Sequence, residues 1–307
     1  MVATPSHVSR REFLQASTGL AAAALSFGGI PCFADSGSSP RSADFAGKGR
    51  IYKAVKWGMI RTSGSVHEKF QLQKDLGYDG MELVSPWHGD AAEVRRASDK
   101  TGMPVHGLVD MKHWEIRLSS PDAKVREQGV AFLEQSLRDA SAFGGNSVLL
   151  VPGKVTGTDE THDDVWNRSI PEIRKVLPLA SRLGVRVLIE NVWNGFCETA
   201  DQFRDYVDAI GSTWVAAYFD IGNCRKFGPS EEWIRTLGNR IVKLDCKDWS
   251  KKNGFKSQIG DGDVNWPSVR QALAEIGYSG WCTAEVDGGG REHLADVGQR
   301  MDQVFKL

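Results

Sequence analysis

Short continuous apolar runs alternate along this chain with longer stretches whose apolar residues recur at helical spacing. The runs at 55–60, 78–84, 105–110, 147–151, 185–190, 215–220, 241–245 and 281–285 predict strands buried on both faces, as in a parallel sheet. The stretches at 66–76, 91–100, 121–143, 163–183, 199–210, 230–237, 266–276 and 292–305 predict helices. Ser119 or Ser120, Thr199 and Ser230 stand where N-caps are expected, and Gly77, Gly184, Gly211 and Gly277 follow the last periodic residue, where a left-handed turn ends a helix. Pro171 and Pro178 predict a break or kink within 163–183.

Strict alternation implies parallel strands joined by right-handed crossovers. Eight such units in the 257 residues from 51 to 307 predict a single-domain (β/α)8 TIM barrel. An open doubly wound sheet would carry a Gly-rich phosphate loop after its first strand, and Arg61-Thr-Ser-Gly-Ser65 is not that fingerprint.

Four of the runs end in a carboxylate: Val187-Leu-Ile-Glu190, Ala217-Tyr-Phe-Asp220, Val242-Lys-Leu-Asp245 and Cys282-Thr-Ala-Glu285. A strand buried on both faces has no cheap place for a charge unless that charge is paired or bound to a metal. One strand-end carboxylate is readily a cap or an ion-pair partner. In a barrel, however, these four converge on the C-terminal mouth, where chemistry sits, and without a cation they would raise one another's pKa values. A divalent ion resolves the conflict, and all-oxygen ligation favours Mn²⁺ or Mg²⁺ over zinc. Lys247 lies two residues past Asp245 and shares its face. Glu82 near the end of the second strand, and His113 and Trp114 in the loop after the third, are candidate sugar-binding residues. His106, early in the third strand, reads as a core histidine.

The N-terminus has a different character. Ser9-Arg-Arg-Glu-Phe-Leu14, a weakly apolar Ala/Gly-rich segment and Phe33-Ala34-Asp35 occur in the order of a twin-arginine signal. The expected organisation is a Tat signal at 1–34, a solvated linker at 35–50 and the barrel at 51–307. The Tat machinery would then be a partner and the periplasm the compartment. No later apolar run is long enough for stable membrane insertion. With 41% hydrophobic residues and a formal net charge of −1, the chain can bury a large core but offers no electrostatic footing for nucleic acid. Cys197, Cys224, Cys246 and Cys282 have no C-x-x-C spacing and read as small buried residues. Nothing in the pattern excludes a homo-oligomer.

Glu190-Asn-Val-Trp-Asn194, Tyr218-Phe-Asp-Ile-Gly-Asn223, Asp245-Cys-Lys-Asp248, Gly260-Asp-Gly-Asp-Val-Asn-Trp266 and Gly280-Trp-Cys-Thr-Ala-Glu285 resemble the xylose isomerase-like TIM-barrel family, the sugar (phosphate) isomerase/epimerase group. The resemblance runs from about residue 50 to 305. It implies that Glu190, Asp220 and Glu285 bind a divalent metal, and that the two glutamates exchange protons with a small sugar. It adds Asn191, Glu198 and Asn223 to the substrate-binding candidates. Asp245 departs from the pattern, standing where the family usually has a metal-binding His; carboxylate ligation there is known in xylose isomerases proper. The implied reaction is isomerisation or epimerisation by proton transfer beside a carbonyl, through an enediolate. Export argues for a non-phosphorylated sugar. Two alternatives use the same mouth: a keto-glycoside lyase acting by β-elimination, and a non-catalytic periplasmic sugar-binding protein.

Overall fold

The computed structural model describes residues 47–307. The signal expected at 1–34, and the linker expected at 35–50 up to residue 46, lie outside the described residues. From Gly47 the chain is already packed: the Gly47 N–H donates to the Phe305 carbonyl at 2.8 Å.

The strands are β1 (Ile51–Lys56), β2 (Gly80–Ser85), β3 (Val105–Asp110), β4 (Ser147–Leu150), β5 (Arg186–Glu190), β6 (Val215–Asp220), β7 (Ile241–Cys246) and β8 (Gly280–Ala284). The helices are α1 (Val66–Asp75), α2 (Ala91–Thr101), α3 (Ala123–Phe143), α4 (His162–Leu183), α5 (Ala200–Ile210), α6 (Ser230–Leu237), α7 (Trp266–Glu275) and α8 (Arg291–Phe305). The strands pair in parallel in sequence order, and β1 also pairs with β8, closing the barrel. The expected TIM barrel is therefore the observed fold. One large apolar cluster fills the layer between sheet and helices. A smaller one of Leu149, Leu188, Ala216 and Tyr218 lies inside the barrel, where alternation places Leu188 and Tyr218 two residues below Glu190 and Asp220.

Several boundaries differ from the sequence reading. β1 runs over Ile51–Lys56, and Trp57–Met59 is already a 3₁₀ turn. The shift puts Lys56 at the mouth end of its strand. At the other end, Lys53 is buried against Asp302 and the Gly298 carbonyl. α3 is capped by Asp122, whose side chain accepts from the Lys124 N–H, while the Ser119 hydroxyl binds Glu160 instead. Ser230 is not a cap; it is the first residue of α6, and its hydroxyl donates to the Ile221 carbonyl. α4 continues through Pro171 and Pro178 without a break, its apolar face buried along Val165, Ile173, Val176 and Ala180. Tertiary packing of that face outweighs the local penalty of the prolines.

The loop chemistry after β6 and β7 has a steric and hydrogen-bonding cause. Asp248 is fully buried and accepts the N–H groups of Trp249, Gly260 and Val264 and the Trp266 indole N–H at 2.9–3.2 Å. The stretch from Gly260 to Trp266 wraps around this carboxylate, and a Cβ on Gly262 would stand 2.0 Å from Asp248 Oδ1. A Cβ on Gly222 would meet Lys247 Cγ at 2.7 Å, so the glycine leaves room for that lysine to enter the mouth.

Asp110, at the end of β3, supplies a stability test. Burial pushes its carboxyl up to about 6, although Oδ1 accepts the Lys112 N–H at 2.9 Å. A carboxyl raised above its unfolded value of ~3.9 favours the fold below that pH and loses its contribution as pH rises through 6. The shift corresponds to about 3 kcal/mol at most. Asp110→Asn keeps the acceptor and removes the charge. We expect it to raise Tm at pH 7.5 and to be nearly neutral at pH 4; an equal effect at both would contradict this origin.

Candidate active site

Each of the four predicted strands delivers its carboxylate to the mouth. Glu190, Asp220, Asp245 and Glu285 offer oxygens that all lie within 4.8 Å of one another. Asp220 and Asp245 are fully buried, Glu190 is 7% exposed, and the Glu285 side chain is 30% exposed. The two aspartates form the lower part of the cluster. The two glutamates line a cavity of about 480 Å³ above them, with Lys56, His113, Asn223 and Lys247.

Two lysines share these oxygens. Lys56 Nζ lies 2.8 Å from Asp245 Oδ2, 2.6 Å from Glu285 Oε1 and 3.8 Å from Glu82 Oε2. Lys247 Nζ lies 2.5 Å from Glu285 Oε2 and 3.0 Å from Asp220 Oδ2. Burial opposes ionisation of Glu285, but the lysines more than offset it and hold that carboxyl well below the usual range. Burial, and then the charge of Glu285, push Glu190 well above it. Burial pushes Asp220 up to about 6, against the pull of Lys247. Burial also raises Asp245 well above its usual range despite Lys56.

The donor set suits a hard divalent ion. It is all oxygen, and Asp245 Oδ1 is buried yet accepts no hydrogen bond. Their 4.8 Å spread compares with the ~4.2 Å between opposite ligands of an ion bound at ~2.1 Å. With two charges from the ion and one from each lysine, the four carboxylates would be neutralised.

Lys56 then competes for the same oxygens. A lysine and a divalent ion sharing the same carboxylate oxygens would repel by several kcal/mol at an effective dielectric constant of ~20. Lys56→Met should therefore bind Mn²⁺ at least ~tenfold more tightly. It should also lose Tm in EDTA, because Asp245 is left buried without its cation, and regain it with Mn²⁺. Isothermal titration and thermal denaturation check both; weaker Mn²⁺ binding would contradict the competition.

Around the cluster, side chains are fixed by hydrogen bonds. The Asn223 N–H donates to Asp220 Oδ1 at 2.5 Å, and its amide donates to the Asn191 carbonyl at 2.8 Å and to Glu190 Oε1 at 3.4 Å. Asn191 is spent between β5 and β6, donating to the Asp220 carbonyl and accepting its N–H. His113 Nδ1 accepts the Val151 N–H at 3.3 Å, which leaves Nε2 as the protonated, donating nitrogen. Burial lowers His113 to about 3, so it stays neutral. Beneath the mouth, Lys243 Nζ donates to His106 Nδ1 and Ser147 Oγ, and His106 Nε2 lies 3.2 Å from Thr283 Oγ1. His106 is thus a satisfied core histidine.

A family model for the xylose isomerase-like TIM barrel matches residues 70–303. The chain belongs to this family. Among its relatives, the D-psicose 3-epimerase of Ruminiclostridium cellulolyticum is 27% identical over 235 residues, covering 69% of this chain and 75% of that protein. Among solved structures, an L-ribulose 3-epimerase superposes with a TM-score of 0.70 at 20% identity, over 84% of this chain and 94% of that one. The 3-keto-D-glucoside 4-epimerase of E. coli gives a TM-score of 0.68 at 15% identity, over 84% and 99%. Several of the homologues are sugar epimerases, as the sequence motifs implied, and others are inosose dehydratases.

In this xylose isomerase-like barrel the structure brings together most of the residues singled out from sequence, but not all. His113, Trp114, Asn223 and Lys247 line the cavity with the two glutamates. Glu82 lies below it, fully buried, with no hydrogen bond to either oxygen. Asn191 faces the strand junction, and Glu198 is exposed outside the cavity. Sequence reasoning missed Lys56, although Ala54-Val55-Lys56 repeats the signature of an apolar strand ending in a charge. It also missed Met111, Trp193 and Phe255 as cavity-lining residues. The four cysteines among the described residues are buried free thiols.

Proposed function

We propose that this protein is a divalent-metal-dependent carbohydrate epimerase or isomerase that moves a proton at a carbon beside a carbonyl. The observation that carries the reading is the layering of the cluster: Glu190 and Glu285 border the cavity while Asp220 and Asp245 lie buried beneath them. Mn²⁺ or Mg²⁺ held by the four carboxylates would supply positive charge that makes such a C–H more acidic. In one direction Glu285, already ionised against Lys56 and Lys247, removes the proton, and Glu190 returns one from the other side of the substrate. In the reverse direction they exchange roles. Return to the same carbon inverts it; return to its neighbour isomerises. Neutral His113 donates from Nε2 to a substrate oxygen, and Asn223 holds Glu190 in place.

An uncharged sugar fits this site better than a sugar phosphate. The only lysines or arginines lining the cavity among the described residues are Lys56 and Lys247, and both already face carboxylates. A non-phosphorylated substrate also agrees with the twin-arginine pattern at Arg10-Arg11, on which we propose export to the periplasm by the Tat machinery. No helix among the described residues is long and apolar enough to cross a membrane.

The test is incubation of the signal-free protein with Mn²⁺ and a panel of free ketoses, aldoses and keto-glycosides, with products read by ¹³C NMR. A new epimer or isomer supports the reading. Release of an aglycone as the sole change makes the enzyme a lyase, and binding without turnover of any sugar makes it a binding protein.

A further inference from the structure

The cavity is divided by polarity. Its floor carries Glu190, Glu285, Lys56 and Lys247, and its rim is apolar. Among the described residues five large hydrophobic side chains are exposed: Tyr52, Met111, Trp114, Trp193 and Phe255. All but Tyr52 line this one cavity. Such concentration of exposed apolar surface marks an interaction site rather than scattered surface residues.

The rim is also built to stay in place. The Trp193 indole N–H is spent on the Asn223 carbonyl at 2.6 Å, and Lys226 Nζ stands 4.9 Å from the ring centroid, so the side chain is held by its donor and by a cation on its ring. Trp249 stands edge-on to it at 5.9 Å, and Phe255 lies 4.6 Å away at 47°. Met111 and Trp114 follow β3, whereas Phe255 follows β7. In a closed barrel of eight strands in sequence order, β3 and β7 are diametrically opposite. The apolar residues therefore approach the mouth from opposite sides, above the charged floor.

We infer that the substrate is a keto-sugar bearing a second ring, a glycosidically linked sugar or aryl group, with the keto-sugar on the floor and the second ring held between the rim residues. The inference rests on the proton-transfer reading of the floor. The size of the cavity supports it: about 480 Å³ falls among sites that bury drug-sized ligands, more than the roughly dozen heavy atoms of one hexose need. The chemistry supports it too, because sugar and aryl rings present C–H or π faces that stack on aromatic side chains. The cations near this rim lie against its rings: Lys226 Nζ is 4.9 Å from the Trp193 ring centroid and Lys247 Nζ 5.1 Å from that of Phe255.

The experiment compares free 3-ketoglucose with its phenyl β-glycoside, following deuterium uptake beside the carbonyl in D₂O with Mn²⁺. The wild-type kcat/KM should be at least ~tenfold higher for the glycoside, and the ratio should fall below ~threefold in Phe255→Ala and in Trp114→Ala. Equal values for both compounds in the wild type would overturn the inference, as would a ratio unchanged in both variants. Light scattering is run alongside. If Phe255→Ala converts a wild-type dimer to a monomer, the rim is a contact between two copies of this chain and the inference fails. If neither compound takes up deuterium, the proton-transfer reading fails; tryptophan fluorescence then tests the rim alone, with tighter binding of phenyl glucoside than of glucose supporting it and equal binding overturning it.

Discussion

Glu190→Gln should reduce turnover by about 10²–10⁴-fold, the range for loss of a general acid–base group, while sugar affinity stays within a few-fold. Glutamine keeps an oxygen to accept the Asn223 amide and keeps the side-chain volume, but it cannot carry a proton between substrate and solvent. Glu285→Gln should cost a similar factor in turnover and, in addition, disturb the site: Glu285 is the shared partner of Lys56 and Lys247 at 2.6 and 2.5 Å. Steady-state kinetics with equilibrium binding of the same sugar separates the two. Turnover in Glu190→Gln within tenfold of wild type would remove Glu190 from the chemistry.

The second large effect concerns the metal. Asp220→Ala should weaken Mn²⁺ binding by more than the ~10–100-fold typical of losing only an outer partner. Asp220 is fully buried, and the one cation its Oδ2 faces is Lys247 Nζ at 3.0 Å, which an ion at that oxygen would have to share. The wild-type affinity should also fall between pH 8 and pH 5. Burial raises Asp220 to about 6 and raises Glu190 and Asp245 well above their usual range, so an ion must displace protons and bind more weakly as pH falls. Equilibrium dialysis across that range, for wild type and variant, checks both statements. Equal Mn²⁺ uptake by Asp220→Ala would place the ion elsewhere.

The barrel was legible because each strand is a short apolar run, and each helix is bounded by a cap or a glycine. The carboxylate cluster was legible for the same reason: Glu190, Asp220, Asp245 and Glu285 interrupt runs that otherwise tolerate no charge. Lys56 escaped because the apolar pattern of β1 and of the turn after it is continuous. Val55 and Ile60 read as one strand with Lys56 near its start, whereas pairing with both β2 and β8 ends that strand at Lys56. The substrate side was less legible. Whether an amide such as Asn191 faces the cavity or ties two strands together depends on a hydrogen bond between residues 29 apart, which no local pattern encodes. The apolar rim assembles from three loops far apart in sequence, and the position of Phe255 follows from a loop wound around the buried carboxylate of Asp248.

Proton exchange at the two glutamates is the central step of the proposed reaction. The most direct measurement is ¹H NMR of a substrate from the panel in D₂O with Mn²⁺, comparing wild type with Glu190→Gln. The account predicts loss of the proton signal beside the carbonyl, with deuterium in the product, because the proton returned by Glu190 exchanges with solvent. It also predicts that this exchange is lost in the variant. A product formed with full retention of that proton, or the same exchange rate in Glu190→Gln, would contradict it.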